Sequence, residues 1–246
     1  PNQDTYFAAQ ISEHCWQASP GRTIDYVRSK GIAKGGTVLE DTRLIEVHSE
    51  GGKYHALVYT HDHRYVEYVC DHFVNALGYN AEKFCQMLGY NTGFYSVKHQ
   101  AYITPRLPFL GKDGDILDML IDRRRRNDFS AVYGQQLAST GQFIVCASPA
   151  VDAKCVINDF SHNKTNTREF LEICSDVLCG WIPSMADVPL QACWAGNYVE
   201  PRYVIDPDKG LFVGLQGHGF MMSQHLAQLY VDKALGRPTP DYLKRL

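Results

Sequence analysis

Three glycines in close succession, Gly214, Gly217 and Gly219, with His218 between the last two, form the stretch of this 246-residue sequence best suited to hold a ligand. They follow a short apolar run, Leu211, Phe212 and Val213, that reads as a buried parallel strand. From about Phe220 the pattern turns helical, with Met222, Leu226, Leu229 and Tyr230 on one face and Gly236 and Pro238 as the stop. A helix start presents main-chain N–H groups without intrahelical acceptors, and the helix dipole is positive there. The ligand such a start favours is anionic or electron-rich, and glycines let a flat one approach the backbone. Histidine is the commonest general acid or base, so His218 is the candidate acid or base of the turn. Tight strand-to-helix packing with no ligand is the other reading of the same spacing.

The elements that must position this turn are read from periodicity. Gly21 to Asp25 opens a helix with Thr23 as its N-cap, Ile24, Val27 and Ile32 facing inward, and Gly31, Gly35 and Gly36 ending it. The preceding residues are irregular, with Tyr6, Phe7, Ile11 and Trp16 burying one face. Three β-rich runs follow, 42–48, 54–60 and 65–70, separated by Gly51-Gly52 and by Asp62-His63, and they predict an antiparallel meander. His61 and His63 lack a third ligand, so they mark a hairpin tip and no metal site is expected. Phe73 and Val74 predict a buried strand that turns out through Asn75, Ala76, Leu77 and Gly78, with a helix over 81–88. Residues 95–104 and 142–159 are β-like, and Ile116 to Leu120 is helical in pattern. Arg123, Arg124, Arg125 and Arg126 read as a solvated patch paired partly with neighbouring aspartates. Over 167–179, Phe170, Leu171, Ile173, Cys174, Val177 and Leu178 put an apolar stripe on one helix face.

Four stretches, in this order, resemble the FAD-dependent amino acid and amine oxidoreductases, the family of D-amino acid oxidase, glycine oxidase and sarcosine oxidase. They are DHFVNALGY at 71–79, YSVKHQAYIT at 95–104, Trp194-Ala195-Gly196, and Gly217-His218-Gly219-Phe220. The resemblance implies an α/β chain that is the C-terminal part of a two-domain FAD-binding, glutathione-reductase-like fold with an antiparallel-sheet substrate domain. Residues 20–96 and 197–246 would belong to the FAD-binding domain, with its central parallel sheet, and residues 1–19 and 97–196 to the substrate-binding domain. The implied cofactor contacts are Val47 in the meander, then Asn75, Ala76 and Gly78. In the turn they are Gly214, Gln216, Gly217, His218, Gly219, Phe220 and Met221.

The implied chemistry is hydride transfer to flavin N5 from a C–H next to an amine of a small amino acid or amine. A reduced flavin is negative near N1 and C2=O, which a helix start stabilises. The implied catalytic residues are His218, Tyr198 and Arg202, although the family's turn packs the His218 position beside the flavin. Tyr198 stands where the family has an arginine that grips a substrate carboxylate, and Arg202 takes over that role only if the strand is shifted. Met221 replaces a lysine common in sarcosine-oxidase-like members, and His99 stands where a small residue is usual. Cys193 lies at an offset like that of their flavin-linked cysteine, so a thioether and a buried unmodified thiol are both open. A 2-hydroxy acid or polyol-phosphate dehydrogenase, and a non-catalytic subunit that completes a partner's FAD site, are the alternatives.

No Gly-x-Gly-x-x-Gly fingerprint follows a first strand, and the sequence opens on Pro1. The resemblance therefore implies that an upstream segment or a second subunit carries the pyrophosphate-binding βαβ unit. A net charge of −3 gives no electrostatic case for nucleic acid. No apolar run has membrane-span length. The eight cysteines form no CxxC pair and read mostly as small buried hydrophobes of a reducing compartment, hence a cytoplasmic protein.

Overall fold

The computed structural model describes residues 16–109, 116–150, 156–157, 165–200 and 203–238. The chain divides into two compact units. Residues 18–95 and 198–246 form the turn-bearing unit, and residues 1–17 and 96–197 form the sheet unit. In chain order the elements are α1 (Pro20–Ala33), β1 (Arg43–Glu50), β2 (Lys53–Tyr59), β3 (Tyr65–Cys70), α2 (Ala81–Met87) and β4 (Tyr95–Arg106). Then come β5 (Leu120–Asp122), β6 (Phe129–Gln136), β7 (Gln142–Pro149), β8 (Val156–Ile157) and α3 (Arg168–Trp181). The last are β9 (Ala192–Glu200), β10 (Val204–Asp206), β11 (Leu211–Val213) and α4 (Gly219–Ala234).

In the turn-bearing unit, α1 starts earlier than its pattern predicts. Ser19 is the N-cap, accepting from the Arg22 N–H at 3.5 Å, and Pro20 takes the first position, where its fixed φ suits a helix and its missing N–H costs nothing. Thr23 instead donates its hydroxyl proton to the Ser19 carbonyl. The inward face expected of α1 is also absent. None of its residues is buried, and Ile24 is 62% exposed, with Val27 and Ile32 also open. β1, β2 and β3 form the expected antiparallel meander in that order. Its inner face packs Val47 and Ala56 against Phe84 of α2.

The buried strand expected at Phe73 and Val74 is reduced to one parallel bridge, Asn75 to Leu211, and Val74 is 48% exposed. The Asn75 N–H donates to the Gly210 carbonyl at 2.7 Å, and the Phe212 N–H donates to the Asn75 carbonyl at 3.0 Å. The Asn75 amide, fully buried, donates to the Ala81 carbonyl at 2.9 Å and to the Cys85 sulfur at 3.4 Å. Because Asn75 turns both main-chain groups toward β11, those of Val74 and Ala76 point the other way. They have no main-chain partner among the described residues. β11 itself pairs antiparallel with β10, so the expected central parallel sheet appears among the described residues as that single bridge.

The sheet unit is antiparallel, in the order β5-β6-β7-β4-β8, with β9 also on β4. Tyr102, Val132, Phe143, Val145 and Ala147 meet Phe170, Cys174, Val177, Leu178 and Trp181 of α3 in one core. Each large apolar side chain buried there contributes about 1.5–3 kcal/mol. Thr167 caps α3, accepting from the Phe170 N–H at 3.2 Å while its own N–H donates to Gln100 Oε1 at 2.6 Å. The helix expected over 116–120 does not form. Leu120 to Asp122 pair with β6 as β5, and the Leu117 N–H donates to Gln136 Oε1 at 3.0 Å. Asp122, 3% exposed, accepts from Arg124 at 2.7 Å and Arg126 at 2.8 Å. Burial by itself would raise its pKa, but these bonds outweigh it and hold the carboxyl well below the usual range. Trp16 is 94% exposed and buries no face, and Tyr6, Phe7 and Ile11 lie outside the described residues. Among the described residues no helix is long and apolar enough to cross a membrane.

Two substitutions probe these joints. Gly210 has φ +64°, and a Cβ there would run into the Phe73 carbonyl oxygen. Gly210→Ala is expected to destabilise the chain by roughly 2–4 kcal/mol in urea unfolding, from left-handed strain plus overlap. Asp122→Asn is expected to cost roughly 1.5–3 kcal/mol at neutral pH. The folded pKa of Asp122 lies below its unfolded value of about 4. The contribution of Asp122 is therefore complete above that value and lost as pH falls below it. Unfolding series from neutral pH down to acid should show the two proteins converging at the acid end.

Candidate functional site

The turn between β11 and α4 is built from unusual backbone. Gly214 is buried with φ +75°, and Gln216, which is not a glycine, has φ +51°. A left-handed L-residue costs roughly 1–2 kcal/mol. Gln216 Nε2 donates to Glu200 Oε2 at 2.5 Å, a charge-assisted bond that offsets this cost. Burial raises the Glu200 pKa, against the lowering pull of the Gln216 bond and of His218.

Gly217 is exposed, yet a Cβ on it would lie 2.8 Å from Cε2 of the Tyr198 ring. Tyr198 and Glu200 are two apart on β9 and share one face of it. One strand face thus meets two consecutive residues of the turn. His218 closes the turn, its N–H donating to the Leu215 carbonyl at 3.0 Å, and serves as N-cap of α4 without a side-chain cap bond. Phe220 and Met221 are exposed, Met221 by 66%.

Tyr198, Gln216, Gly217, His218 and the α4 start therefore come together as one cluster. Asn75 joins it indirectly, through its bonds to both flanks of Leu211 at the start of β11. Ala76 and Gly78 are exposed beyond that bridge, and Gly78 has φ +57° with open space where a Cβ would sit. Val47 is 1% exposed in the meander core, so it presents no surface to a ligand. Arg202 lies outside the described residues. Cys193 is an exposed thiol outside any disulfide, so of its two readings the buried unmodified thiol is corrected. His99 is kept neutral, its pKa lowered to about 4 by burial.

Glu200 is the residue that sequence reasoning missed. The signal was its position two residues beyond Tyr198 on a strand. Beside the turn, a groove of about 450 Å3 runs between α1 and the first turns of α4, lined by Thr23, Ile24, Val27, Phe220, Ser223 and Gln224. Among the described residues no three His, Cys, Asp or Glu side chains converge as a metal set.

Residues 1–233 match the family model described as FAD dependent oxidoreductase. The chain belongs to that family. Its fold is similar to that of L-proline dehydrogenase from P. horikoshii, with TM-score 0.68 and 23% identity over 90% of this chain and 57% of that one. Glycine oxidase from Bacillus cereus ATCC 14579 gives 0.63 at 18% identity, again over 90% and 57%. Iminodiacetate oxidase from Chelativorans sp. BNC1 gives 0.62 at 18% identity over 92% and 57%. This chain thus spans 57% of the length of these relatives. No curated protein matches it.

The turn is compatible with the family's cofactor. The uncapped start of α4 offers donors to an electron-rich edge, and the exposed glycine at 217 leaves the lip of the turn bare. Replacing Gly217 by Val is expected to displace the Tyr198 ring. FAD binding by the intact protein, followed by fluorescence titration, should then weaken at least about tenfold, the scale of a strained overpacking. Gly180→Ala, where a Cβ meets open space, should leave the affinity unchanged.

Proposed function

We propose that this chain is the C-terminal portion of an FAD-dependent oxidoreductase acting at the C–H next to the amine of a small amino acid or amine. The observation that carries the reading is the family match over residues 1–233 together with the bare, uncapped α4 start that follows the glycine turn. Bound FAD would supply the two-electron acceptor. In this reading the turn-bearing unit holds FAD, through Gly214 to Met221 and through Asn75, Ala76 and Gly78. The sheet unit provides the substrate-binding surface. Tyr198 and His218 flank the reacting centre, and Arg202 is the candidate grip for a substrate carboxylate. Their work is to orient the substrate carbon, exclude water and accept the proton that leaves the amine as it becomes an imine. The named substrates of the structural neighbours, proline, glycine and iminodiacetate, all carry a carbon bonded to an amine nitrogen. A reducing, cytoplasmic setting belongs to the same reading and is in keeping with six free cysteines among the described residues.

The dinucleotide-binding βαβ unit is, in this proposal, supplied by an upstream segment or a second chain. The exposed apolar side chains of α1 and the main-chain edge at Val74 and Ala76 favour that reading. An unpaired main-chain edge is what a further parallel strand covers.

An absorption spectrum and intact-mass analysis of the native preparation test both parts. Flavin bands, a Gly-x-Gly-x-x-Gly segment in the same preparation and bleaching by an amine or amino acid are expected. Bleaching only by a 2-hydroxy acid or polyol phosphate would replace the amine reading. A preparation that contains that segment and stays colourless with added FAD would end the oxidoreductase reading. Hydrogen exchange of the intact protein should show the amides of α1, Val74 and Ala76 protected relative to this chain alone. Equal exchange would remove the docking part.

A further inference from the structure

Gln216 sits in a conformation its own chemistry disfavours, at the entry to the turn on which the proposed flavin site depends. Glycine takes φ +51° freely, but a glutamine there needs an external hold. The structure supplies one. Glu200 Oε2 accepts from Gln216 Nε2 at 2.5 Å, across sixteen residues of sequence. Tyr198, on the same face of β9, fills the space above Gly217. His218, next in the chain, interacts electrostatically with Glu200 and is the N-cap of α4. The backbone of residues 216–218 is thus set against two side chains of β9, and the N–H groups at the start of α4 follow directly from it. None of the turn's glycines can anchor itself, since glycine carries no side chain.

We propose that Glu200 is the positioning residue of the cofactor turn: it clamps Gln216 in the left-handed conformation and so fixes the α4 start that receives the electron-rich edge of the flavin. The inference rests on the FAD reading above. The role is geometric. An acceptor oxygen at this position is what matters, and its charge is secondary, so a glutamine at position 200 serves where an alanine does not. Because the clamp exists to hold a left-handed non-glycine residue, a glycine at 216 makes it dispensable.

The test is a double-mutant cycle on the intact protein together with its dinucleotide-binding segment. The variants are Glu200→Ala, Glu200→Gln, Gln216→Gly and the Glu200→Ala/Gln216→Gly pair. FAD affinity is read by fluorescence titration, and amide exchange over residues 214–221 is read on the FAD-free protein. Glu200→Ala should weaken FAD binding about tenfold, the scale of one lost hydrogen bond, and speed exchange across the turn. Glu200→Gln should stay within about threefold of the parent, a difference well under one such bond. In the Gln216→Gly background, Glu200→Ala should have little further effect on either readout.

Three results overturn the clamp. One is parent-like affinity and exchange in Glu200→Ala. Another is a Glu200→Gln protein that behaves like Glu200→Ala, which would make the charge the active element. The third is a Glu200→Ala effect undiminished beside Gln216→Gly. If the parent protein binds no FAD, the flavin reading fails on its own. The exchange rates of the FAD-free proteins still decide whether Glu200 holds the turn, and unchanged rates sink the clamp as well.

Discussion

A single buried amide holds the turn-bearing unit together. Asn75 lies 136 residues before Leu211 in a bend with almost no regular structure, yet its main chain bonds both flanks of that residue, and its side chain bonds the start of α2. A fully buried amide without these partners would cost a few kcal/mol. The same residue satisfied on three sides is a fixed joint. Everything that follows Leu211 inherits its position from that joint: β11, the glycine turn and α4. Gly210 belongs to the same constraint, because only a residue without Cβ lets the Phe73 carbonyl come so near.

From this joint outward the site is organised by complementarity between one strand face and one turn. β9 presents Tyr198 and Glu200 side by side, and the turn presents a residue with no side chain followed in space by one with a strained backbone. Tyr198 occupies the room that Gly217 leaves, and Glu200 binds the residue that most needs holding. The consequence is a helix start whose N–H groups no side chain caps. In a chain of the FAD dependent oxidoreductase family, such uncapped donors are a resource for a ligand whose negative charge grows during the reaction. The sheet unit is built on different terms. Its core is a layer of apolar residues between antiparallel strands and α3, and the one buried carboxylate among its described residues, Asp122, is consumed by two of the four arginines.

Much of this was legible in the chain. The meander, α3 with its apolar stripe, and α4 with Leu226 and Leu229 inward all follow from periodicity, which acts within a few residues. The glycine-rich turn and its family likeness were legible for a related reason, since such a motif is a local backbone requirement. Where pattern misled, a distant partner decided. Ile116 to Leu120 has helical spacing, but pairing with β6 and a bond to Gln136 take it elsewhere. Ile24, Val27 and Ile32 have the spacing of a buried face, yet α1 buries none of them, because periodicity states which residues share a face and not what covers it.

The sequence by itself therefore determined the local elements, the family and the residues from which a ligand-holding turn is made. Only the tertiary structure decided that Asn75 is the joint beneath that turn, that Val47 faces a core, and that Glu200 and Tyr198 stand against Gln216 and Gly217. The physical reason is range. Helix caps, strand alternation and glycine turns are set by neighbours in sequence, whereas a hydrogen bond across 16 or 135 residues exists only once the chain has brought its partners to within three ångströms.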